Sequence, residues 1–185
     1  LHVRSRRQRQ MCIRDRNIDM VKLLETTLTI NPDCIAVAEM KGGESMQAIN
    51  AANTGHSVIT TIHANSCEDT YYRMVTLCKQ EQPGMDDTTL QNLATKAFPI
   101  VAFAKRLEDN SRRIMEITEC ETLQDGRKKM RTLYRFNITD NIIVEGKPKI
   151  IGHYEKVENL SEDLQKRLRE NGLPLKMQEQ LLAKR

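Results

Sequence analysis

Apolar positions in the first half of the chain alternate between helical spacing and short continuous runs. Val21, Leu24 and Leu28 recur at helical spacing and stop at Asn31-Pro32, which predicts a helix from about residue 18 to residue 30. The run Cys34–Ala38 then predicts a buried strand that ends on Glu39. The same reasoning predicts a helix that begins at Glu44, places Met46, Ile49 and Ala52 on one face and has its cap at Gly55. A buried strand is predicted over Val58–Ile62. The next helix is predicted to begin near Ser66 and to direct four side chains inward: Tyr71, Met74, Val75 and Cys78.

The second half continues with shorter signals. A helix containing Leu90 and Ala94 is followed by a third predicted buried strand over Pro99–Ala104. Two mixed segments separated by Asp125-Gly126, namely 113–121 and 130–137, predict a β-hairpin. A last helix begins at Ser161, and Gly172 ends it. Strands that alternate with helices indicate the α/β class with a mostly parallel sheet, to which the hairpin and a short C-terminal helical appendage are added.

Composition and charge restrict the function classes. With 185 residues, 39% hydrophobic and 29% charged, the chain has the composition of a globular domain and has no apolar run long enough to cross a bilayer. Its formal charge is +4, but residues 1–16 hold six arginines and one acid, and the remainder holds 24 of the 25 acidic residues and only 23 of the 29 basic ones. The domain itself is therefore close to neutral, which removes the support for nucleic-acid binding.

The basic leader has a separate explanation. Met11-Cys12-Ile13-Arg14-Asp15 resembles the translation of a transposon adapter used to prepare sequencing libraries. We therefore expect residues 1–16 to be a disordered artefact and the natural chain to extend further on the N-terminal side. Residues 17–157 are expected to form the C-terminal part of one domain, and residues 158–185 a helical tail. The five cysteines have no zinc-ribbon spacing, so reduced cytosolic thiols are expected.

Two candidate functional residues stand at strand ends. In α/β sheets, ligands bind outside the carboxyl ends of the strands, where Glu39 and His63 are predicted to lie. A buried strand that ends on a carboxylate has the form of a Walker B element, in which the acid orients water or hydrated Mg²⁺ beside a γ-phosphate. Two plainer interpretations stay open from these residues alone: His56 caps a helix, and His63 is a core histidine with satisfied hydrogen bonds.

The order of several short motifs sharpens this hypothesis. Six short segments follow one another with the order and spacing of the type II/IV secretion ATPase superfamily. They are Pro32-Asp33, the predicted strand, Glu39, Gly42-Gly43-Glu44, Thr54-Gly55-His56 and residues 60–65. The chain resembles this superfamily over roughly residues 18–172, and within it the CpaF-like ATPases of Tad/Flp pili and their conjugation relatives. The resemblance implies a partial RecA-like P-loop NTPase core.

The resemblance also implies roles for particular residues. Glu39 would be the catalytic Walker B acid that contacts Mg²⁺ through water, and His56 and His63 would be the histidine-box pair that reads the γ-phosphate. Lys41, Glu44, Thr61 and Asn65 would contribute to nucleotide binding. Implied cofactors are ATP and Mg²⁺. Members of the superfamily form hexameric rings at the cytoplasmic face of the membrane and work on inner-membrane platform proteins, so a peripheral cytoplasmic location is expected.

Several family features are missing or altered. No Gly-x-x-x-x-Gly-Lys-Ser/Thr phosphate loop occurs in the sequence, so we expect this fragment alone to be inactive as an ATP hydrolase. Glu25, Thr29 and Lys41 stand where relatives carry arginines, and a lysine lacks the bidentate fork of an arginine. The leading hypothesis is an ATPase motor subunit, and the alternative is a catalytically silent ring or scaffold subunit. A zinc site formed by His56, His63 and Cys67 is a weaker hypothesis, because its spacing matches no usual ligand pattern.

Overall fold

The computed structural model describes residues 19–123 and 125–183, which form two compact units. The first unit contains the described residues up to His63 together with Tyr71–Phe98, and the second contains Ala64–Thr70 and the described residues from Pro99 onward. The leader lies outside the described residues, so its interpretation as an artefact stays a prediction. The elements in chain order are α1 (Met20–Ile30), β1 (Cys34–Val37), α2 (Glu44–Asn53), β2 (Ser57–Thr60), α3 (Cys67–Cys78), α4 (Asp87–Ala97), β3 (Ile100–Arg106), β4 (Arg112–Thr122), β5 (Lys128–Val144), β6 (Lys147–Lys156), α5 (Glu162–Glu170) and α6 (Leu175–Leu182).

Helix α1 begins and ends where its sequence signals predict. The Asp19 side chain accepts a hydrogen bond from Lys22 N at 2.8 Å, which satisfies one of the free N–H groups at the start of the helix. At the other end Asn31 adopts a left-handed conformation, with φ of 51°, and donates its N–H to the Leu28 carbonyl. Pro32 follows directly, so the helix cannot continue.

Strands β1 and β2 are parallel neighbours, in a register that pairs Ile35 with Val58. Because side chains alternate along a strand, Ile35 and Val37 are buried on one face, and Cys34 and Ala36 are exposed on the other. The prediction that β2 is a buried strand is wrong, since Ile59 is 64% exposed on that second face. A continuous apolar run cannot distinguish a strand covered on both faces from one covered on a single face.

Helices α2, α3 and α4 supply most of the core of the first unit. Each buries the side chains that recur at helical spacing, as the sequence predicts. The Tyr71 hydroxyl donates a 2.7 Å hydrogen bond to the Phe98 carbonyl, which satisfies two buried polar groups at once. The buried apolar side chains that these three helices contribute to the first unit are Met46, Ala48, Ile49, Ala51, Tyr71, Met74, Leu77, Cys78, Leu90 and Ala94.

The second unit is built on an antiparallel sheet with the order β3-β4-β5-β6. The α/β class is confirmed, and so is the hairpin predicted on either side of Asp125-Gly126, which consists of β4 and β5. Among the described strands, β1 and β2 form the parallel sheet, and the other four strands form the separate antiparallel sheet. The segment Pro99–Ala104 was predicted as a buried strand, but it forms edge strand β3, in which Ile100 is 41% exposed.

A second hairpin, β5-β6, was not predicted. Glu145 and Gly146 form its turn, with φ of 51° and 73°, the positive values that a tight two-residue hairpin turn requires. Gly152 of β6 pairs with Ile138, and a Cβ there would lie 2.4 Å from the Asn137 carbonyl oxygen and 2.6 Å from the Phe136 ring. Only glycine therefore lets the Phe136 ring lie across β6 at this point.

The C-terminal tail contains two helices and is attached to the sheet at both ends. Ser161 caps α5, because its hydroxyl accepts a hydrogen bond from Leu164 N. The same residue is held by Glu119 of β4, which is 2% exposed and accepts hydrogen bonds from both Ser161 N and Ser161 Oγ. Lys156 Nζ donates to the carbonyls of Leu181 and Ala183 at the end of α6. Such a cation stabilises the free carbonyls at a helix C-terminus.

The described cysteines are free thiols that differ sharply in exposure. Cys67, Cys78 and Cys120 are buried, and burial raises the pKa of each thiol, to about 11 for Cys78. Cys34 is exposed on the open face of β1.

None of the helices in the described part of the chain is long and apolar enough to cross a membrane.

Candidate nucleotide-responsive site

Glu39 lies just beyond the carboxyl end of β1, where backbone contacts to the segment after β2 hold it in place. Met40 N donates to the Thr61 carbonyl at 2.8 Å, and Thr61 Oγ1 donates to the Ala38 carbonyl at 2.6 Å. These two bonds extend the pairing of the parallel strands on both sides of Glu39. Thr61 was predicted to contribute to nucleotide binding, and in this structure its side chain positions the backbone beside the acid.

The two oxygens of the Glu39 carboxylate have different surroundings. Oε2 lies 2.7 Å from Lys41 Nζ, and Oε1 lies 3.0 Å from His63 Nε2. Oε1 is shielded from solvent and has no hydrogen-bond partner among the described residues. One oxygen is thus held by a cation, and the other has an acceptor position that remains open. A water or a hydrated cation is the kind of group that such a position accepts.

The charge of Glu39 is set mainly by Lys41. The hydrogen bond from the Lys41 ammonium holds the pKa of this carboxyl below its usual value; partial desolvation acts in the opposite direction, and the positive charges of Lys41 and His63 add to the lowering. Glu39 therefore remains an anion down to a lower pH than an ordinary glutamate. An ionised acid at this position can accept hydrogen bonds throughout the physiological range, although its lowered pKa makes it a weak proton acceptor.

Glu44 shapes the loop that follows the acid. Its Oε1 accepts hydrogen bonds from Lys41 N and Gly42 N, so the first residue of α2 reaches back over the loop. Gly43 lies against the end of α3, and a Cβ there would come within 2.5 Å of the Glu81 side chain. Burial, and next the charge of Glu44, raise the pKa of Glu81. The structure thus gives Glu44 a loop-ordering contact, and its predicted contact with nucleotide stays a prediction.

His56 does not lie with Glu39 and His63. It precedes β2 whereas His63 follows it, and four strand residues alone span about 13 Å. The structure therefore does not bring the predicted histidine pair together at one end of the strand. Both ring nitrogens of His56 are buried and have no hydrogen-bond partner in the described part of the chain. Its backbone N–H, rather than its imidazole, caps α2 by donating to the Ala51 carbonyl.

The structure contradicts two further interpretations of the sequence. The His63 side chain is 93% exposed, so the interpretation of His63 as a core histidine is wrong. Within residues 19–123 and 125–183, no three metal-ligating side chains are grouped, which contradicts a zinc site formed by His56, His63 and Cys67. Asn65 is exposed and belongs to the second unit, so its predicted role stays a prediction.

Two of the positions where the family resemblance led us to expect arginine form local contacts. Glu25 forms an exposed ion pair with Lys22 at 3.3 Å, and Thr29 Oγ1 donates to the Thr26 carbonyl within α1. Lys41, at the third position, contacts Glu39 directly. No sequence signal predicted this contact, since residues 39 and 41 lie beyond the last residue of β1 and the direction of their side chains depends on the loop.

In α/β domains, ligands bind outside the carboxyl ends of parallel strands, and Glu39 and His63 lie together at that position beyond β1 and β2. The chain belongs to the type II/IV secretion system protein family, whose sequence model matches residues 3–182. The family resemblance predicted from the motifs is therefore confirmed, while the CpaF-like subtype stays a prediction.

Individual relatives agree with this assignment. The chain is 29% identical over 105 residues to the conjugal transfer protein TrbB of Rhizobium radiobacter, covering 56% of this chain and 31% of that protein. It is 28% identical over 169 residues to the type IV pilus assembly ATPase PilB of Pseudomonas aeruginosa, covering 88% of this chain and 28% of PilB.

A solved structure is also similar. The VirB11 ATPase from the Brucella suis type IV secretion system, in complex with sulphate, matches with a TM-score of 0.53 and 29% identity, over 56% of this chain and 32% of that one. The chain thus spans about a third of the length of the relatives it matches.

Proposed function

We propose that the complete protein is a hexameric motor that hydrolyses ATP to drive pilus assembly, protein secretion or conjugation. The observation that carries this proposal is the Glu39 carboxylate, fixed at the end of β1 with Lys41 on one oxygen and an open acceptor position on the other. In this proposal Glu39 is the acid that orients water, and His63 is the neighbouring group that responds to the phosphate.

The residues fit the group that they would meet. A carboxylate with an open acceptor oxygen suits a hydrated Mg²⁺ or a water, and an ammonium and an exposed imidazole beside it suit a phosphate. Bound Mg-ATP would supply the phosphoryl group and a cation that neutralises its charge. Beside the bound Mg-ATP, Glu39 Oε1 would accept a hydrogen bond from a water, and Lys41 would contribute positive charge.

The assembly and location are part of the same proposal. The matched relatives are a conjugal transfer protein, a pilus assembly ATPase and a type IV secretion ATPase. By analogy, the complete protein would form a homohexamer, bind inner-membrane platform proteins and associate peripherally with the cytoplasmic face of the membrane, without binding nucleic acid directly. A CpaF-like role in a Tad/Flp pilus, or in a related conjugation element, is the narrower form of the proposal.

Turnover by the complete protein tests the proposal. We expect the purified protein to bind ATP and to release phosphate in a Mg²⁺-dependent reaction, measured by colorimetric phosphate detection alongside binding of a fluorescent ATP analogue. Binding without phosphate release would favour the silent-subunit alternative. Failure to bind any nucleotide would overturn the motor proposal.

One observation favours that alternative, a ring or scaffold subunit without turnover. Lys41 already donates to Oε2 of Glu39, so its compact ammonium would have to share its three donors between this carboxylate and a phosphate. An arginine could contact the carboxylate and a phosphate at once, because its guanidinium presents five donors in a planar fork. A lysine in this position is therefore expected to slow the reaction.

Arginine substitution measures this effect. In the complete protein we expect Lys41→Arg to raise ATP turnover severalfold, because about 1 kcal/mol in the barrier corresponds to roughly fivefold in rate. Adding Thr29→Arg should raise it further. Lys22→Arg, on the exposed surface of α1, is the matched control and should leave turnover unchanged. Equal turnover in all variants would mean that lysine is not limiting.

A further inference from the structure

The β5-β6 hairpin extends beyond the rest of its sheet. Strand β5 pairs with β4 only as far as Arg135, so from Phe136 onward its only partner among the described strands is β6. The end of this two-stranded ribbon carries aliphatic side chains that are open to solvent: Ile142 is 37% exposed, Ile143 72% and Val144 43%. We call these three residues, with the flanking Glu145, Lys147 and Lys149, the ribbon tip.

An aliphatic tip on a ribbon is unfavourable without a partner. A two-stranded hairpin is marginally stable by itself, and exposed apolar side chains add no burial to hold it. The backbone edges of the ribbon are unsuited to accepting another strand, because β5 is irregular between Ile138 and Asp140 and β6 carries Pro148. A partner would therefore contact the tip through its side chains rather than extend the sheet.

A complementary apolar pocket lies elsewhere in the same unit. Its volume is about 250 Å³, several times the volume of roughly 30 Å³ that a water molecule occupies in the liquid. We call it the tyrosine pocket. It is lined by Ile114, Ile117, Tyr134, Arg135 and Tyr154, of which Ile114 is 43% and Tyr154 56% exposed. A branched aliphatic side chain is the kind of group that such a pocket accommodates.

The tip cannot reach the pocket of its own chain. Tyr134 and Ile143 lie on the same strand, nine residues apart, which corresponds to about 30 Å along extended backbone. Apart from the irregularity between Ile138 and Asp140, β5 is paired with β6 along this whole stretch, so the strand cannot fold back over this distance without breaking that pairing. A contact between tip and pocket must therefore join two molecules.

The charges around the two surfaces are complementary. The tip carries one acid, Glu145, and two bases, Lys147 and Lys149. The pocket rim carries one base, Arg135, and two acids, Glu116 and Glu155. The Glu116 carboxylate lies 3.4 Å from the Arg135 guanidinium, and Glu155 is the backbone partner of Arg135 on the neighbouring strand. Opposite net charges on two surfaces favour their encounter and help to fix the orientation of the contact.

From these observations we propose that the ribbon tip of one copy of this chain docks into the tyrosine pocket of a second copy. Ile143 would enter the pocket, Glu145 would approach Arg135, and the tip lysines would approach the rim acids. Tip and pocket are different surfaces, so the contact is head-to-tail and can close into a ring or continue as an open chain. The contact uses only residues of the second unit and does not depend on ATP hydrolysis.

Mixing two variants of the 185-residue chain tests this proposal. By sedimentation velocity without nucleotide, we expect the unmodified chain to self-associate and both Ile143→Asp and Ile114→Asp to remain monomeric. Mixed together, the two variants should form a heterodimer, because one retains an intact pocket and the other an intact tip. The control Ile59→Asp replaces an aliphatic residue of the first unit that is 64% exposed, a value between those of Ile114 and Ile143, and should associate normally.

Charge reversal keeps the test valid if an aspartate variant fails to fold. Arg135→Glu and Glu145→Arg should each weaken association by about tenfold, and a mixture of the two should recover it across the restored ion pair. Unchanged association of these variants, or a mixture that forms no heterodimer, would overturn the proposal. Tip-dependent binding to anionic phospholipid vesicles, with no tip-dependent self-association, would instead assign the tip to a membrane surface.

Discussion

Glu39→Gln in the complete protein is expected to abolish ATP hydrolysis while ATP still binds. Glutamine has nearly the same shape, but it cannot carry the negative charge that the Lys41 ammonium stabilises, and it cannot accept a proton from water. Loss of a positioned base and of its charge lowers a rate by about a hundredfold or more. Single-turnover phosphate release, compared with equilibrium binding of a fluorescent ATP analogue, separates the two effects.

A matched control is available on α1. Glu25→Gln removes the same charge from an exposed surface pair, and we expect it to leave phosphate release within about twofold of the unmodified rate. If the Glu39→Gln protein released phosphate at the unmodified rate, Glu39 would not be the catalytic acid. If it also lost ATP binding, the acid would serve binding rather than the chemical step.

Glu119→Ala is expected to produce the largest loss of stability in the second unit. The carboxylate is almost fully buried and accepts hydrogen bonds from Ser161 N and Ser161 Oγ, which hold the start of α5 against β4. Truncation leaves a buried N–H and a buried hydroxyl without a partner and opens a cavity, which together cost about 3 kcal/mol. For a chain of this size, that cost lowers the midpoint of thermal unfolding by roughly 6–12 °C.

Two further variants locate the effect. Ser161→Ala removes the hydroxyl but keeps the backbone bond, so we expect a loss of about 1–2 kcal/mol. Glu108→Ala, at an exposed position before β4, should change stability by less than about 0.5 kcal/mol. Proteolysis should cut the Glu119→Ala protein first near residues 157–161. A Glu119→Ala protein as stable as the Glu108→Ala control would show that the tail is held by other contacts.

The helices of this protein are predictable because their signals are local. The spacing of Leu24 and Leu28, the break at Asn31-Pro32 and the cap at Ser66 all act within a few residues, and the structure has each helix where these signals place it. The closeness of Glu39 and His63 was also predictable, because parallel strands present their carboxyl ends at the same edge.

The sheets are less predictable because strand partners are distant in sequence. Pro99–Ala104 has the apolar run of a buried strand, yet it pairs on one edge only, and nothing within the run encodes the partner. Strand β6 was missed because Lys147, Lys149 and Glu155 interrupt its apolar positions. These charged residues are compatible with a strand that is open to solvent on one side, while Ile150 on the other side is buried in a cluster with Phe136 and Leu107.

Contacts between separate elements also escaped prediction. Glu119 and Ser161 are 42 residues apart, and each has a common local interpretation, as a strand residue and as a helix cap. Whether the two residues come into contact depends on the course of the chain through two hairpins. The separation of His56 from Glu39 was missed for the opposite reason, since the two histidines are close in sequence but a strand places them at opposite ends.

The unequal exposure of the cysteines provides an experimental handle. At neutral pH a maleimide reagent requires a thiolate that it can reach, and among the described cysteines only Cys34 is exposed, whereas burial keeps the other three protonated. Cys34 begins the strand that leads to Glu39. A spin label or fluorophore attached there, after replacement of Cys12, would report on nucleotide arrival from a native position five residues before the acid.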